Sequence, residues 1–77
     1  MVIKVYSAPI CPYCNAVKQY LKEKNVEFED IDVSKDAKAR ETMIRKSGQR
    51  GVPVIDINGN IIIGFDKEKI DKALGLL

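Results

Sequence analysis

With 77 residues, 45% of them hydrophobic and 31% charged, the chain has the composition of a soluble globular domain and not of a disordered one. That length permits one core burying roughly two-thirds of the surface at best, so a single domain over residues 1–77 is expected. Thirteen Lys and Arg against eleven Asp and Glu leave a formal charge of +2. Such a small, interspersed excess excludes a nucleic-acid footprint but would suit small anionic ligands, and no apolar run approaches the roughly 18 residues of a membrane span.

In chain order, Val2, Ile3, Val5 and Tyr6 form a nearly continuous apolar run, the pattern of a central strand covered on both faces. Ser7, Ala8, Pro9 and Ile10 read as a loop. From Cys11 to about Lys24 the apolar residues Tyr13, Val17, Tyr20 and Leu21 recur at helical spacing with lysines between them, and Asn25 is a plausible stop. Phe28, Ile31 and Val33 suggest a short strand. Ser34 then stands where a cap could start a second helix running to about Ser47 and ending at Gly48, with Met43 and Ile44 as its core candidates. Val52 to Ile57 and Ile61 to Ile63 are β-branched runs joined through Asn58-Gly59, a strong hairpin signal. A final helix begins near Asp66, and its Ile70, Ala73, Leu74 and Leu77 form an apolar stripe. The string βαβαββα calls for a right-handed crossover between the first two strands and an antiparallel hairpin at the end, giving a four-stranded mixed sheet with helices on both faces.

Chemistry concentrates in Cys11-Pro12-Tyr13-Cys14, which holds both cysteines of the chain. A cysteine at a helix N-terminus faces unpaired N–H groups and the positive end of the helix dipole, which favour thiolate over thiol. Cys11 is thus the candidate nucleophile. Pro12 suits the first helical position, and Cys14, a turn further in, is the candidate resolving thiol. Other readings compete. A structural staple closing two intervening residues would restrain the unfolded chain by only roughly 2 kcal/mol. A zinc site ordinarily takes four Cys or His ligands, and this chain has no histidine and no third cysteine. Two ordinary buried cysteines are the remaining option. The N-terminus lacks the basic segment, apolar stretch and cleavage site of a signal peptide, so a cytoplasmic location is expected, where a close pair reads as catalytic more readily than structural.

Three separated blocks, Cys11-Pro12-Tyr13-Cys14, Gly48-Gln49-Arg50-Gly51-Val52-Pro53 and Gly64-Phe65-Asp66, resemble those of the glutaredoxin family, in order and over essentially the whole chain. The resemblance implies a thioredoxin-like α/β fold and glutathione-linked reduction of disulfides and glutathionylated proteins through a Cys11/Cys14 dithiol cycle. It implies a cis Val52-Pro53 peptide beside the nucleophile, with the Val52 backbone pairing with the cysteine part of glutathione. Gly64 and Asp66 would hold the γ-glutamyl end, and Phe65 and Tyr13 would complete the site. The residues offer independent chemical sense. Pro53 suits the start of a strand. Asp66 suits a helix cap, and that helix start could take a carboxylate while the Asp66 side chain takes an ammonium. Arg50 can meet a carboxylate with two parallel hydrogen bonds, and Gln49 can donate a neutral one.

Departures from the family pattern narrow the expectation. Where many members carry a lysine three positions before the nucleophile, this chain has Ala8, leaving Arg50 or Lys18 as substitutes. Gly51 replaces the usual Thr before Val-Pro, Ile63-Gly64 replaces Gly-Gly, and the large Phe65 could narrow the glutathione site. A second reading is therefore kept: a glutaredoxin-like electron donor to ribonucleotide reductase or a similar protein, reduced by thioredoxin reductase. A third, an iron–sulfur cluster held between two protomers by Cys11 and glutathione, is disfavoured by Pro12 and Cys14. The expected protein is a monomer with no metal and no bound cofactor, using glutathione as co-substrate, with disulfide-bearing or glutathionylated proteins as partners, thioredoxin reductase being a partner in the second reading, and with neither nucleic acid nor membrane.

Overall fold

The computed structural model describes residues 2–76, and the expected place of Leu77 in the last apolar stripe lies outside them. The elements follow the anticipated order: β1 (Ile3–Ser7), α1 (Pro12–Glu23), β2 (Glu29–Asp32), α2 (Ala37–Ser47), β3 (Val54–Ile57), β4 (Asn60–Ile63) and α3 (Lys67–Leu74). They form one four-stranded sheet in the order β2-β1-β3-β4. β1 is parallel to β2 and antiparallel to β3, which is antiparallel to β4.

Strand alternation divides the core. Ile3 and Val5 of β1, Ile55 and Ile57 of β3 and Ile62 of β4 point to one face, where Val17 and Leu21 of α1 and Ile70 of α3 cover them. On the other face Tyr6 and Val54 pack with Val33 and with Met43 of α2, and Ile44 is partly buried beside them. The second face also holds an ion pair. The Lys46 ammonium donates to Asp56 at 2.7 Å and lies 5.7 Å from the centre of the Tyr6 ring. Burial pushes the Asp56 carboxyl up, but hydrogen bonds from Lys46 and the Gly59 N–H outweigh it and hold the group below the usual carboxylate range. Lys46 moves the other way, its ammonium stabilised first by the bond to Asp56.

Local chemistry shifts several boundaries from those expected. Val2 lies outside the first strand and is 64% exposed, whereas Ser7 belongs to the strand and is buried. Phe28 precedes β2, and Val52 precedes β3, because Pro53 lacks the N–H that would extend the ladder. Ser34 does not cap α2. Its backbone N–H and hydroxyl both donate to Asp32, a turn that leaves Asp36 to accept the Ala39 N–H at 3.0 Å as the true cap. The β3–β4 hairpin matches the expectation. Ile57 pairs with Asn60 across Asn58 and Gly59, which sit at φ +52° and +92°, the positive values that a tight two-residue turn requires.

Candidate active site

The strand register gathers the three sequence blocks. β1 ends at Ser7 and leads into Cys11, while β3 begins opposite, with Val54 facing Tyr6. β4 ends beside the same point, with Ile63 facing Val54. The chain entering α1, the Val52-Pro53 peptide and the Gly64-Phe65-Asp66 segment consequently share one end of the sheet. Val52-Pro53 is cis and Pro53 is buried. The Pro53 carbonyl accepts the Gly64 N–H at 3.0 Å, tying the second block to the third. Gly64 adopts φ +78°, a conformation that side chains rarely take.

At α1 the candidate nucleophile is itself the helix cap. Cys11 has extended backbone, Pro12 is the first helical residue, and the Cys11 sulfur accepts the Cys14 N–H at 3.1 Å. An N-terminal donor that would otherwise lack a partner therefore points at the reacting atom. Cys11 and Cys14 are joined in a disulfide with 5.2 Å between their α-carbons, so the structure shows the oxidised half of a dithiol cycle. The two positions differ as expected, Cys11 being 8% exposed and Cys14 fully buried. Beside them Ile10 is 97% exposed and Tyr13 68% exposed.

The remaining residues fall into two groups. Asp66 caps α3, its Oδ1 accepting the Lys69 N–H at 3.1 Å. Arg50 is exposed, while Gln49 is half-buried with its N–H donating to the Ser47 hydroxyl. Phe65 turns inward: its ring meets the Tyr20 ring edge-on at 5.7 Å, and both pack against the apolar core beneath α1 and α3. Lys18 is not a substitute for the lysine missing at Ala8. Its ammonium is paired with Asp30 at 3.0 Å, and Asp30 also accepts the buried Ser7 hydroxyl at 2.6 Å. Burial raises the Asp30 carboxyl, but these two hydrogen bonds bring it below the ordinary value.

Sequence reading missed this Ser7–Asp30–Lys18 network and a second one in which the Tyr20 hydroxyl donates to Asp71, 51 residues away. That hydrogen bond, with burial and the Asp71 charge added to it, raises the Tyr20 phenol above its usual value. Helical spacing marks Tyr20 as a core residue, and nothing local in the sequence signals its distant partner. Among the described residues no group of three or more His, Cys, Asp or Glu could hold a metal ion, and no helix is long and apolar enough to cross a membrane.

Comparison with known proteins agrees with this geometry. The family model for glutaredoxin matches residues 3–62. An uncharacterized glutaredoxin-like 8.6 kDa protein in the rubredoxin operon of Clostridium pasteurianum is 55% identical over 73 residues, covering 95% of this chain and 97% of that protein. A variant of the thioredoxin-like protein BC3987 superposes with a TM-score of 0.90 at 39% identity, over 97% of this chain and 96% of that one. NrdH-redoxin from Escherichia coli, described as a glutaredoxin-like protein with a thioredoxin-like activity profile, gives 0.84 at 29% identity over 94% and 93%.

Proposed function

The chain belongs to the glutaredoxin family and is a thiol-disulfide oxidoreductase, and from that premise we propose that glutathione is its reductant and co-substrate, in a cytoplasmic monomer that forms one domain. The observation that supports this most is the meeting of Cys11, Val52-Pro53 and Gly64-Phe65-Asp66 at one end of the sheet, with Gly64 bonded to Pro53. A glutathione lying along Val52 brings its sulfur toward Cys11. Its γ-glutamyl end meets the start of α3, where N–H groups suit the carboxylate, and the Asp66 oxygen not engaged by Lys69 suits the ammonium. Arg50 and Gln49 are the polar groups on hand for the glycine carboxylate, with Tyr13 at the rim.

In the reduced protein the Cys11 thiolate attacks the glutathione sulfur of a glutathionylated protein. The Cys11–glutathione bond forms, the protein–glutathione bond breaks, and the departing thiolate takes up a proton. A second glutathione, as thiolate, then attacks the bound glutathione sulfur, releasing glutathione disulfide and restoring Cys11. On a protein disulfide the Cys11 thiolate attacks one sulfur, forming a mixed disulfide and releasing the other sulfur as a thiolate that takes up a proton. Cys14 then acts in place of the second glutathione. It loses its proton, attacks the Cys11 sulfur and expels the substrate thiolate, leaving the Cys11–Cys14 disulfide of this structure; two glutathiones reduce that bond and leave as glutathione disulfide.

A second reading rests on the likeness to NrdH-redoxin and on Ala8, and makes thioredoxin reductase the electron source for a protein acceptor. Parallel assays discriminate: glutathione with glutathione reductase in one, thioredoxin reductase in the other. The proposal expects sustained NADPH consumption with the glutathione system. Turnover with thioredoxin reductase alone would contradict it.

A further inference from the structure

Between β4 and α3 run only Gly64, Phe65 and Asp66, with Gly64 fixed by its bond to Pro53 and Asp66 by its capping bond. Phe65 lies between these anchors, and its ring is held from α1, the helix that Cys11 caps. Tyr20 meets Phe65 at 5.7 Å with an interplanar angle of 65°, an edge-to-face contact. Its hydroxyl is tied to Asp71 of α3, and the Lys67 ammonium stands 5.6 Å from the centre of both rings. One residue of α1 thus grips the segment before α3 by its ring and α3 itself by its hydroxyl. The start of α1 and the segment before α3 are braced against each other through the Tyr20 side chain.

We propose that Tyr20, seated on Phe65 and bonded to Asp71, is a positioning residue that holds the Gly64–Asp66 segment in register with Cys11 and so sets the affinity for the glutathione moiety. This rests on the glutathione reading above. The Phe65 ring is then a strut inside the protein, which differs from the expectation that it narrows the ligand pocket.

The test uses the full chain and a glutathionylated peptide. Losing an aromatic pair of this kind corresponds to about three- to tenfold in affinity. Tyr20→Leu is expected to raise KM by about that factor with kcat little changed, to leave exchange with a small dithiol at the parental rate, and to speed hydrogen exchange at the Gly64 N–H more than at the Cys14 N–H. Asp71→Asn and Tyr20→Phe, which perturb the hydroxyl contact and keep the rings, are expected to shift KM in the same direction by less; they carry the test if Tyr20→Leu does not fold. A folded variant with parental KM overturns the proposal, as does faster exchange spread evenly through α1, the mark of a merely structural role. Should the parent itself fail to saturate with the peptide, the glutathione reading and the affinity claim fall together, whereas unchanged Gly64 exchange in Tyr20→Leu removes the positioning claim alone.

Discussion

The starts of α1 and α3 use one geometry for two kinds of chemistry. In each, the residue before the helix has extended backbone and its side chain accepts the N–H three positions on, at 3.1 Å in both cases. At α3 the acceptor is the Asp66 carboxylate, which needs no change of state to cap. At α1 it is the Cys11 sulfur, an indifferent cap as a thiol or disulfide and a strong one as a thiolate. A helix start that stabilises an anion becomes reactive when the anion is a nucleophile and a docking point when it is a fixed carboxylate. Both lie at the same end of the sheet, so on the glutathione proposal one structural device supplies a reacting atom and a place to hold its substrate.

Exchanging the sulfur for oxygen breaks the comparison most sharply. Serine caps helices well, so Cys11→Ser is expected to fold like the reduced parent yet lose all disulfide exchange. Cys14→Ser is expected to keep reduction of glutathionylated substrate and lose reduction of protein disulfides that need a resolving thiol. Assaying both variants on both substrates checks the assignment, and full activity in Cys11→Ser would overturn it. Next in size is the other cap. A charge-assisted hydrogen bond contributes about 1.5–3 kcal/mol, so Asp66→Ala should lose about tenfold or more in kcat/KM for glutathionylated substrate, along with about 1 kcal/mol of stability. Asp66→Ser separates the two effects, since it can cap but cannot pair with an ammonium. It should fold nearly as well as the parent and remain impaired with glutathione; a parental rate would sink the pocket as drawn. The smallest effect is expected at the third cap. Asp36→Ala, in the same geometry at α2, should cost about 1 kcal/mol of thermal or denaturant stability with no change in kcat/KM. A loss of activity there would mean that capping in general, and not the position of the cap, governs the chemistry.

How far the residues announced all this varied with the range of the interaction. Element order, the Asn58-Gly59 hairpin, the Cys11 cap and the Asp66 cap were legible because each depends on a few neighbouring residues. Ser34 misled because Asp32, two residues before it, accepts both its N–H and its hydroxyl and so claims Ser34 before it can reach the helix. Lys18 misled because the residue that binds it, Asp30, lies on β2 and not on the helix that carries Lys18. Tyr20 was visible as an apolar position but not as a brace, since Phe65 and Asp71 reach it only after the chain has folded over the sheet. The site's contacts along the chain could be read; those across it required the fold.

The central claim is that the Cys11 sulfur, as the cap of α1, is stabilised as a thiolate. The rate of alkylation of Cys11 against pH tests it most directly, measured in the reduced Cys14→Ser variant so that a single thiol reports. The account predicts a midpoint clearly below that of an unperturbed cysteine. A midpoint at or above that of a free cysteine would contradict it.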